Sequence, residues 1–243
     1  MLGNRAAAPA LEFTAVGPRL RFHQAADVCV TGGEFAMRRC EVLRVEAGDE
    51  MNLGAARRGL RGYLCVRGGL APPHAIPPFR QPVHRGQTVG FGKEPPSVAA
   101  PLIPHEWLLV RPARLRITTS AQTSWFSTAA WQLLISSTFC VTPDSNRQGI
   151  RLKGPQLEVC RREMLTEGVC LGAIQVTPDG QPVILFVDQQ TTGGYPKIAN
   201  VILADTPIVG QLRPGDLVCF QPVSFEEAVA AWRARMGPLL EPG

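Results

Sequence analysis

The sequence predicts a mainly β protein, a barrel or sandwich arranged in two lobes with few helices. Three observations lead there. Short apolar segments with period-2 alternation recur along the chain, most of them bounded by turn residues. The 243 residues include 24 Gly and 22 Pro, which supply many turns and favour β structure over a helical bundle. An apolar fraction of 45% is enough for a proper core and argues against disorder.

Strands are expected at residues 20–22, 27–31, 62–66, 108–110, 114–118, 171–176 and 183–187. An internal echo adds three more, each a Gly followed by Asp or Gln and then alternating apolar residues. These are Gly48-Asp49-Glu50-Met51-Asn52-Leu53, Gly86-Gln87-Thr88-Val89-Gly90-Phe91 and Gly215-Asp216-Leu217-Val218-Cys219-Phe220. Such a pattern reads as a turn feeding a half-buried strand. Two helix starts stand out: Ser127, a hydroxyl cap before 128–135, and Ser224-Phe225-Glu226-Glu227, a capping box leading into 228–236. Both helices are expected to pack on a sheet. The stretch 71–104 is dense in Pro, with Pro72-Pro73, Pro77-Pro78 and Pro95-Pro96, and forms the natural join between a lobe at 1–95 and a second at 105–243.

The net charge of +5 comes from arginines scattered along the chain rather than gathered in a block. Lys is scarce and aromatics are not interleaved with the arginines, so nucleic acid is not an expected partner; small anions or an acidic protein are. Seven cysteines include no C-x-x-C pair and no zinc-type spacing, and read as reduced, mostly buried thiols. The four histidines are scattered and no metal site is expected. No apolar run approaches the roughly 18 residues of a membrane span, and the N-terminus lacks an apolar signal core. No membrane association is expected, and the cytoplasm is the default compartment.

Candidate chemistry gathers in the second half. The apolar run 183–187 breaks into Asp188-Gln189-Gln190-Thr191-Thr192-Gly193-Gly194-Tyr195-Pro196-Lys197, where two hydroxyls and successive backbone N–H groups are expected to form an anion-holding nest or to stabilise an oxyanion. Ser145-Asn146-Arg147-Gln148-Gly149 is a turn cluster whose Arg147 either grips a carboxylate or phosphate or holds a carbonyl of its own turn. Glu167 precedes a strand that carries Gln175; from the residues alone the pair reads more readily as a loop acid and an ordinary strand amide than as site residues. Gly68-Gly69 reads as a turn. There is no Walker-type phosphate loop, no G-x-G-x-x-G, no nucleophile elbow and no Ala/Val-Met-Lys-Met biotin-attachment site. ATP or biotin chemistry would therefore be shared with another chain.

In order along the chain, Leu11-Glu12-Phe13-Thr14 with Gly17-Pro18, Thr31-Gly32, Tyr63-Leu64 with Gly68-Gly69, Ser145-Asn146-Arg147 with Gly149 and Arg151-Leu152, Gly154-Pro155, Glu167-Gly168, Gly172-Ala173-Ile174-Gln175-Val176, Pro178-Asp179-Gly180-Gln181-Pro182, residues 190–197 and Leu212-Arg213-Pro214-Gly215-Asp216 can be read as one pattern. That pattern resembles the family of 5-oxoprolinase C-type subunits, also called allophanate hydrolase subunit 2 or the biotin-dependent carboxyltransferase family, which includes an antagonist of a sporulation-kinase inhibitor. The match covers the whole chain and is more specific in the second half. Family members usually begin with a further segment before the Leu2-Gly3-Asn4 match, so the first lobe is expected to be truncated relative to them. The Pro-rich run 71–82 also replaces a Gly-rich stretch of the family.

The resemblance implies a cyclophilin-like β-barrel and a hydrolase subunit that is active only in a complex. That complex would open the lactam of 5-oxoproline with ATP, beside a kinase-inhibitor-like B-type partner and an A-type partner, or carboxylate an amide or urea with biotin carried by a partner. It further implies that Thr191, Thr192, Gly193 and Gly194 bind an oxyanionic group, that Arg147 and Lys197 bind a carboxylate or phosphate, and that Tyr195 forms a wall. Asn146 and Gln175 would contact substrate, and Glu167 or Asp188 would supply the base. Two alternatives stand beside this: a regulatory protein that captures a kinase-inhibitor-like B-type partner without turnover, and an inactive shortened paralogue.

Overall fold

In the computed structural model of the protein the described residues are 2–5, 7–71, 82–92, 111–159 and 164–240. The strand expected at 108–110, most of the Pro-rich stretch and Cys160 lie outside them. The chain divides into two compact units, Met1–Pro104 and His105–Leu240.

The first unit holds β1 (Leu11–Thr14), β2 (Arg19–Arg21), β3 (Ala26–Glu34), β4 (Val42–Val45), β5 (Glu50–Asn52), β6 (Arg58–Val66), β7 (Leu70–Ala71) and β8 (Gly90–Phe91). An antiparallel sheet runs in the order β1-β6-β3-β4, and β2–β5 and β7–β8 pair as separate ribbons. Alternation along β3 and β6 sends Val28, Val30, Leu64 and Val66 into a core with Phe13, Phe22, Phe35 and Leu53. The Phe13 and Phe35 rings meet edge to face, centroids 4.7 Å apart. The echo at Gly48 gives a turn and β5 as expected. At Gly86 the turn forms, but Val89 lies outside any strand and β8 is only two residues long.

The second unit holds β9 (Ala113–Thr119), α1 (Thr128–Ser136), β10 (Thr138–Val141), β11 (Gly149–Lys153), β12 (Glu167–Gly168), β13 (Ala173–Val176), β14 (Pro182–Leu185), β15 (Thr192–Gly193), β16 (Lys197–Val201), α2 (Thr206–Val209), β17 (Leu217–Pro222) and α3 (Phe225–Leu240). Seven of these strands close a barrel in the order β10-β11-β14-β13-β16-β9-β17, with β17 returning to β10. Every pairing in the barrel is antiparallel except β17 with β9. Closure removes the unpaired edges that an open sheet leaves.

Alternating residues fill the interior: Leu115, Ile117, Phe139, Ile150, Leu152, Ile174, Ile184, Val218 and Phe220 are all in one buried cluster. Strand β13 starts at Ala173, later than the expected 171, because Gly172 turns with φ +86° and donates to the Leu185 carbonyl. Strand β14 ends at Leu185 because Phe186 and Asp188 donate their N–H groups to the carbonyls of Gln148 and Arg147, outside the ladder.

Both expected helix caps form. Ser127 Oγ accepts from Ala130 N at 3.1 Å, and the Ser224–Glu227 box closes reciprocally at 3.1 and 2.7 Å. Helix α1 buries Ala130 and Leu134 in the barrel's apolar cluster, one face at i, i+4 spacing. The cysteines depart from expectation. The six described are free thiols, but only Cys29 is buried, and Cys170, in the loop between β12 and β13, is exposed. Burial, with the neighbouring thiols of Cys40 and Cys65, pushes the Cys29 thiol up to about 11.

One ionic clamp ties the segment before α2 to the barrel. Asp205, 2% exposed, accepts from the backbone N of Arg116 at 2.8 Å and from its Nε and Nη2 at 3.0 and 2.6 Å. Removing the carboxylate leaves a guanidinium and a backbone N–H without their acceptor. Asp205→Ala is expected to destabilise the second unit by about 3 kcal/mol, the scale for breaking a buried pair. Urea denaturation checks this, and a loss within the scatter of surface substitutions would refute the clamp.

Candidate functional site

The barrel wall formed by β11, β14, β13 and β16 has two faces of opposite character. Ile150, Ile184 and Ile174 stand in register across three strands and point into the core. One position along, Arg151, Val183, Gln175 and Lys197 also stand in register, and a strand's period of two sends them to the outer face. A bulge between Ile174 and Gln175 in the pairing with β16 leaves both Ile198 and Ala199 in the core while keeping Lys197 opposite Gln175.

Part of this outer face is roofed by the two-stranded β12–β15 ribbon, in which Glu167 pairs with Gly193 and Gly168 with Thr192. Gln175 is 2% exposed and Lys197 7% exposed beneath it. The Lys197 ammonium donates to Glu167 Oε1, and Gln122 Nε2 donates to the same oxygen at 2.7 Å. Those two donors, Lys197 first, hold the Glu167 carboxyl below its usual range. Gln122 is itself buried, and its Oε1 has no hydrogen-bond partner among the described residues.

Beyond the roof the wall opens into a recess of about 160 Å³ lined by Asn146, Gln148, Gly149, Arg151, Gln175, Thr177, Val183, Leu185, Gln190 and Tyr195. It adjoins a larger chamber of about 600 Å³ that shares Arg151, Thr177, Val183 and Tyr195 and adds Lys153, Asp144, Asp179 and Gln181 among others. Four carboxamides line the recess. Asn146 Oδ1 accepts from the N–H groups of Gln148 at 2.8 Å and Gly149 at 3.4 Å, which turns its Nδ2 hydrogens away from the loop backbone. Gln175 Nε2 donates to the Tyr195 carbonyl at 3.3 Å, leaving its Oε1 as an acceptor. In the adjoining chamber the Asp179 carboxyl is held low, chiefly by the Thr177 hydroxyl.

The expected site residues divide on this geometry. Asn146, Gln175 and Tyr195 line the recess. Arg147 does not: its Nε and Nη2 reach Asp188 Oδ2 and Oδ1 at 2.6 and 3.4 Å, so the cation expected to grip a ligand and one acid expected to act as base hold each other. Lys197 and Glu167 do the same. The nest expected at 191–194 is not formed, because neither Gly193 nor Gly194 takes positive φ and Thr192–Gly193 is an extended strand. Gly193 is small for another reason: a Cβ there would lie 2.7 Å from Gln175 Nε2. Gln148, Arg151, Thr177 and Gln190 join the recess without having been expected there. Gly149 and Arg151, two apart on β11, carried a signal that strand alternation makes readable.

A family model described as carboxyltransferase domain, subdomain A and B, matches residues 1–222. The chain belongs to the carboxyltransferase domain family. Within it, the chain is 33% identical to the C-type subunit of 5-oxoprolinase from Haemophilus influenzae over 94% of its own length and 79% of that protein's. It is 30% identical to the C-type subunit of 5-oxoprolinase from Escherichia coli over 95% of its length and 80% of that protein's. The crystal structure of the K. lactis urea amidolyase matches it with a TM-score of 0.83 at 26% identity, over 99% of this chain and 17% of that one. The barrel is thus the expected family architecture. The region matched by this chain makes up most of two relatives and a small part of the longer chain of a third.

The Glu167–Lys197 pair gives the carboxyltransferase domain an acid-sensitive roof. The folded-state pKa of Glu167 lies below its ordinary value of 4.5, so its stabilising contribution is complete above that value and is lost as pH falls through the lowered one. Thermal melts from pH 7 to pH 3 are expected to show a shallower acid limb for Glu167→Gln than for the wild type, the two converging at the acid end. Parallel limbs would refute the assignment.

Proposed function

We propose that this chain is the C-type subunit of a 5-oxoprolinase complex, which opens the lactam of 5-oxoproline to glutamate with ATP beside A-type and B-type partners. The reading is supported by similarity to two 5-oxoprolinase C-type subunits that cover about the same extent of sequence, against a urea amidolyase of which the chain matches 17%. The observation that carries it is the carboxamide-lined recess on the outer barrel wall. An amide ring presents one N–H and one carbonyl in a fixed plane. Gln175 Oε1 accepts from the first, and Asn146 Nδ2 donates to the second.

Attack on the lactam carbon moves charge onto the carbonyl oxygen, and a donor already aimed at that oxygen stabilises the transition state more than the ground state. Asn146 is suited to this because two backbone N–H groups fix its orientation before substrate arrives. Val183 and Leu185 supply apolar wall for the ring methylenes, and Tyr195 closes one side.

The residues of this cleft do not fit ATP. No glycine-rich phosphate loop faces it among the described residues, and in the larger chamber Asp144 and Asp179 offset the charge that Arg151 and Lys153 would offer a polyphosphate. Nor does the sequence carry a biotin-attachment motif. Nucleotide, and biotin in the carboxyltransferase alternative, therefore belong to partner chains, and no step through either is assigned to these residues.

Co-expression with the A-type and B-type partners, followed by assay of ATP-dependent glutamate release from 5-oxoproline, tests the reading. Turnover that requires all three chains is expected; an assembled, folded complex without turnover would overturn it. Asn146→Asp keeps the acceptor for the two backbone N–H groups but removes the Nδ2 donor. It is expected to cost roughly 10²-fold in kcat/KM, as loss of one oxyanion donor does, with little change in stability.

A further inference from the structure

Four cations stand around the recess and its adjoining chamber; Lys153 lines the chamber but not the recess, and two of the others are already neutralised from within the chain. Arg147 is held by Asp188 and Lys197 by Glu167. Arg151 differs. Its backbone is fixed on both sides by one hydroxyl, Ser145 Oγ, which receives the Arg151 N–H at 3.0 Å and donates to its carbonyl at 3.2 Å. Its guanidinium makes no ion pair with any described residue and is exposed, yet it lines both the recess and the adjoining chamber. The nearby acid, Asp179, is engaged chiefly by Thr177 and interacts with Arg151 only through space.

Position adds to availability. In the outer-face row Gln175, Val183 and Arg151 sit on three adjacent strands, so Gln175 and Arg151 lie two strand spacings apart, roughly 10 Å between backbones. Their side chains flank the same small recess, with only the Val183 side chain between them. A ligand whose amide meets Gln175 therefore brings any substituent on the neighbouring atom toward the guanidinium. Arginine's planar fork of donors matches a carboxylate in two parallel bonds.

We infer that Arg151 is the specificity-determining residue of the cleft, binding the carboxylate of an amide that carries one and so favouring such acid amides over neutral amides and urea. The inference rests on the proposed lactam-opening function and names the feature by which that substrate is selected. Because the carboxylate takes no part in bond cleavage, Arg151 holds ground state and transition state alike, and its loss falls on KM rather than kcat.

The test uses Arg151→Gln and Arg151→Lys in the assembled complex, with 2-pyrrolidinone, the same ring without its carboxylate, as a competitive inhibitor. Arg151→Gln is expected to raise KM for 5-oxoproline at least about tenfold, the scale of one hydrogen bond to a charged group, with kcat nearly unchanged. Arg151→Lys is expected to recover part of the loss, and inhibition by 2-pyrrolidinone is expected to be the same in all three proteins. An unchanged KM in folded Arg151→Gln, or an equal loss for 2-pyrrolidinone, overturns the inference while leaving the proposed function standing. A wild-type complex without turnover overturns the function itself. Calorimetric titration of the chain then decides the inference separately: 5-oxoproline binding no tighter than 2-pyrrolidinone, or not at all, overturns it.

Discussion

The register of Ile150, Ile184 and Ile174 inside the barrel is the constraint on which the cleft depends. These three side chains interlock across β11, β14 and β13 in a buried interior. Because strand side chains alternate with a period of two, fixing them inward fixes Arg151, Val183 and Gln175 outward and in line. A slip of one residue in β11 or β13 would bury a guanidinium or a carboxamide in the core and expose an isoleucine. The cost of either change makes the outer row as well determined as the core itself. The β16 bulge extends that row to Lys197 without disturbing the packing behind it.

On such a wall, charges that look like ligand-binding groups can instead act as struts. The pair Arg147–Asp188 joins the loop before β11 to the loop after β14, and Lys197–Glu167 with Gln122 fastens the β12–β15 ribbon over Gln175. Half-buried pairs of this kind add little net stability, because desolvation offsets much of the attraction. What they contribute is position. Gly193 shows how closely the ribbon sits, since a single added carbon would press on Gln175 Nε2. Acidification that protonates Glu167 therefore acts on the recess indirectly, by loosening the roof above Gln175.

The fold of the two units was legible because its signals are local: alternation, turn glycines before β5 and β17, and the Ser127 and Ser224 caps each lie within a few residues. The site was less so, for a specific reason. Whether Arg147 meets a substrate or an internal carboxylate depends on Asp188, 41 residues away, and Lys197 finds Glu167 across 30. Nothing within either motif reveals the partner. The hydroxyl–glycine run at 191–194 misled differently, since paired glycines suggest unusual backbone torsions. Here the Gly193 position demands the absence of a side chain instead. Arg151 stood in the shadow of Arg147 although its spacing from Gly149 placed it on the open face.

The resulting division of labour follows from what each group can offer a reacting amide. Near the carbonyl, neutral carboxamides hold donors and acceptors in fixed directions without a charge whose desolvation would have to be overcome when substrate enters. In the proposed lactam opening a preoriented donor matters most once the oxygen gains charge, so Asn146 would act on the rate of the chemical step. The guanidinium of Arg151, on the strand beyond Val183, would meet a charge that does not change during that reaction and so act on capture alone. A cleft with these two functions on one rigid wall can change which amides it admits by altering Arg151 while the groups facing the carbonyl stay in place. That separation is available because the row alternates with a core that none of its members touches.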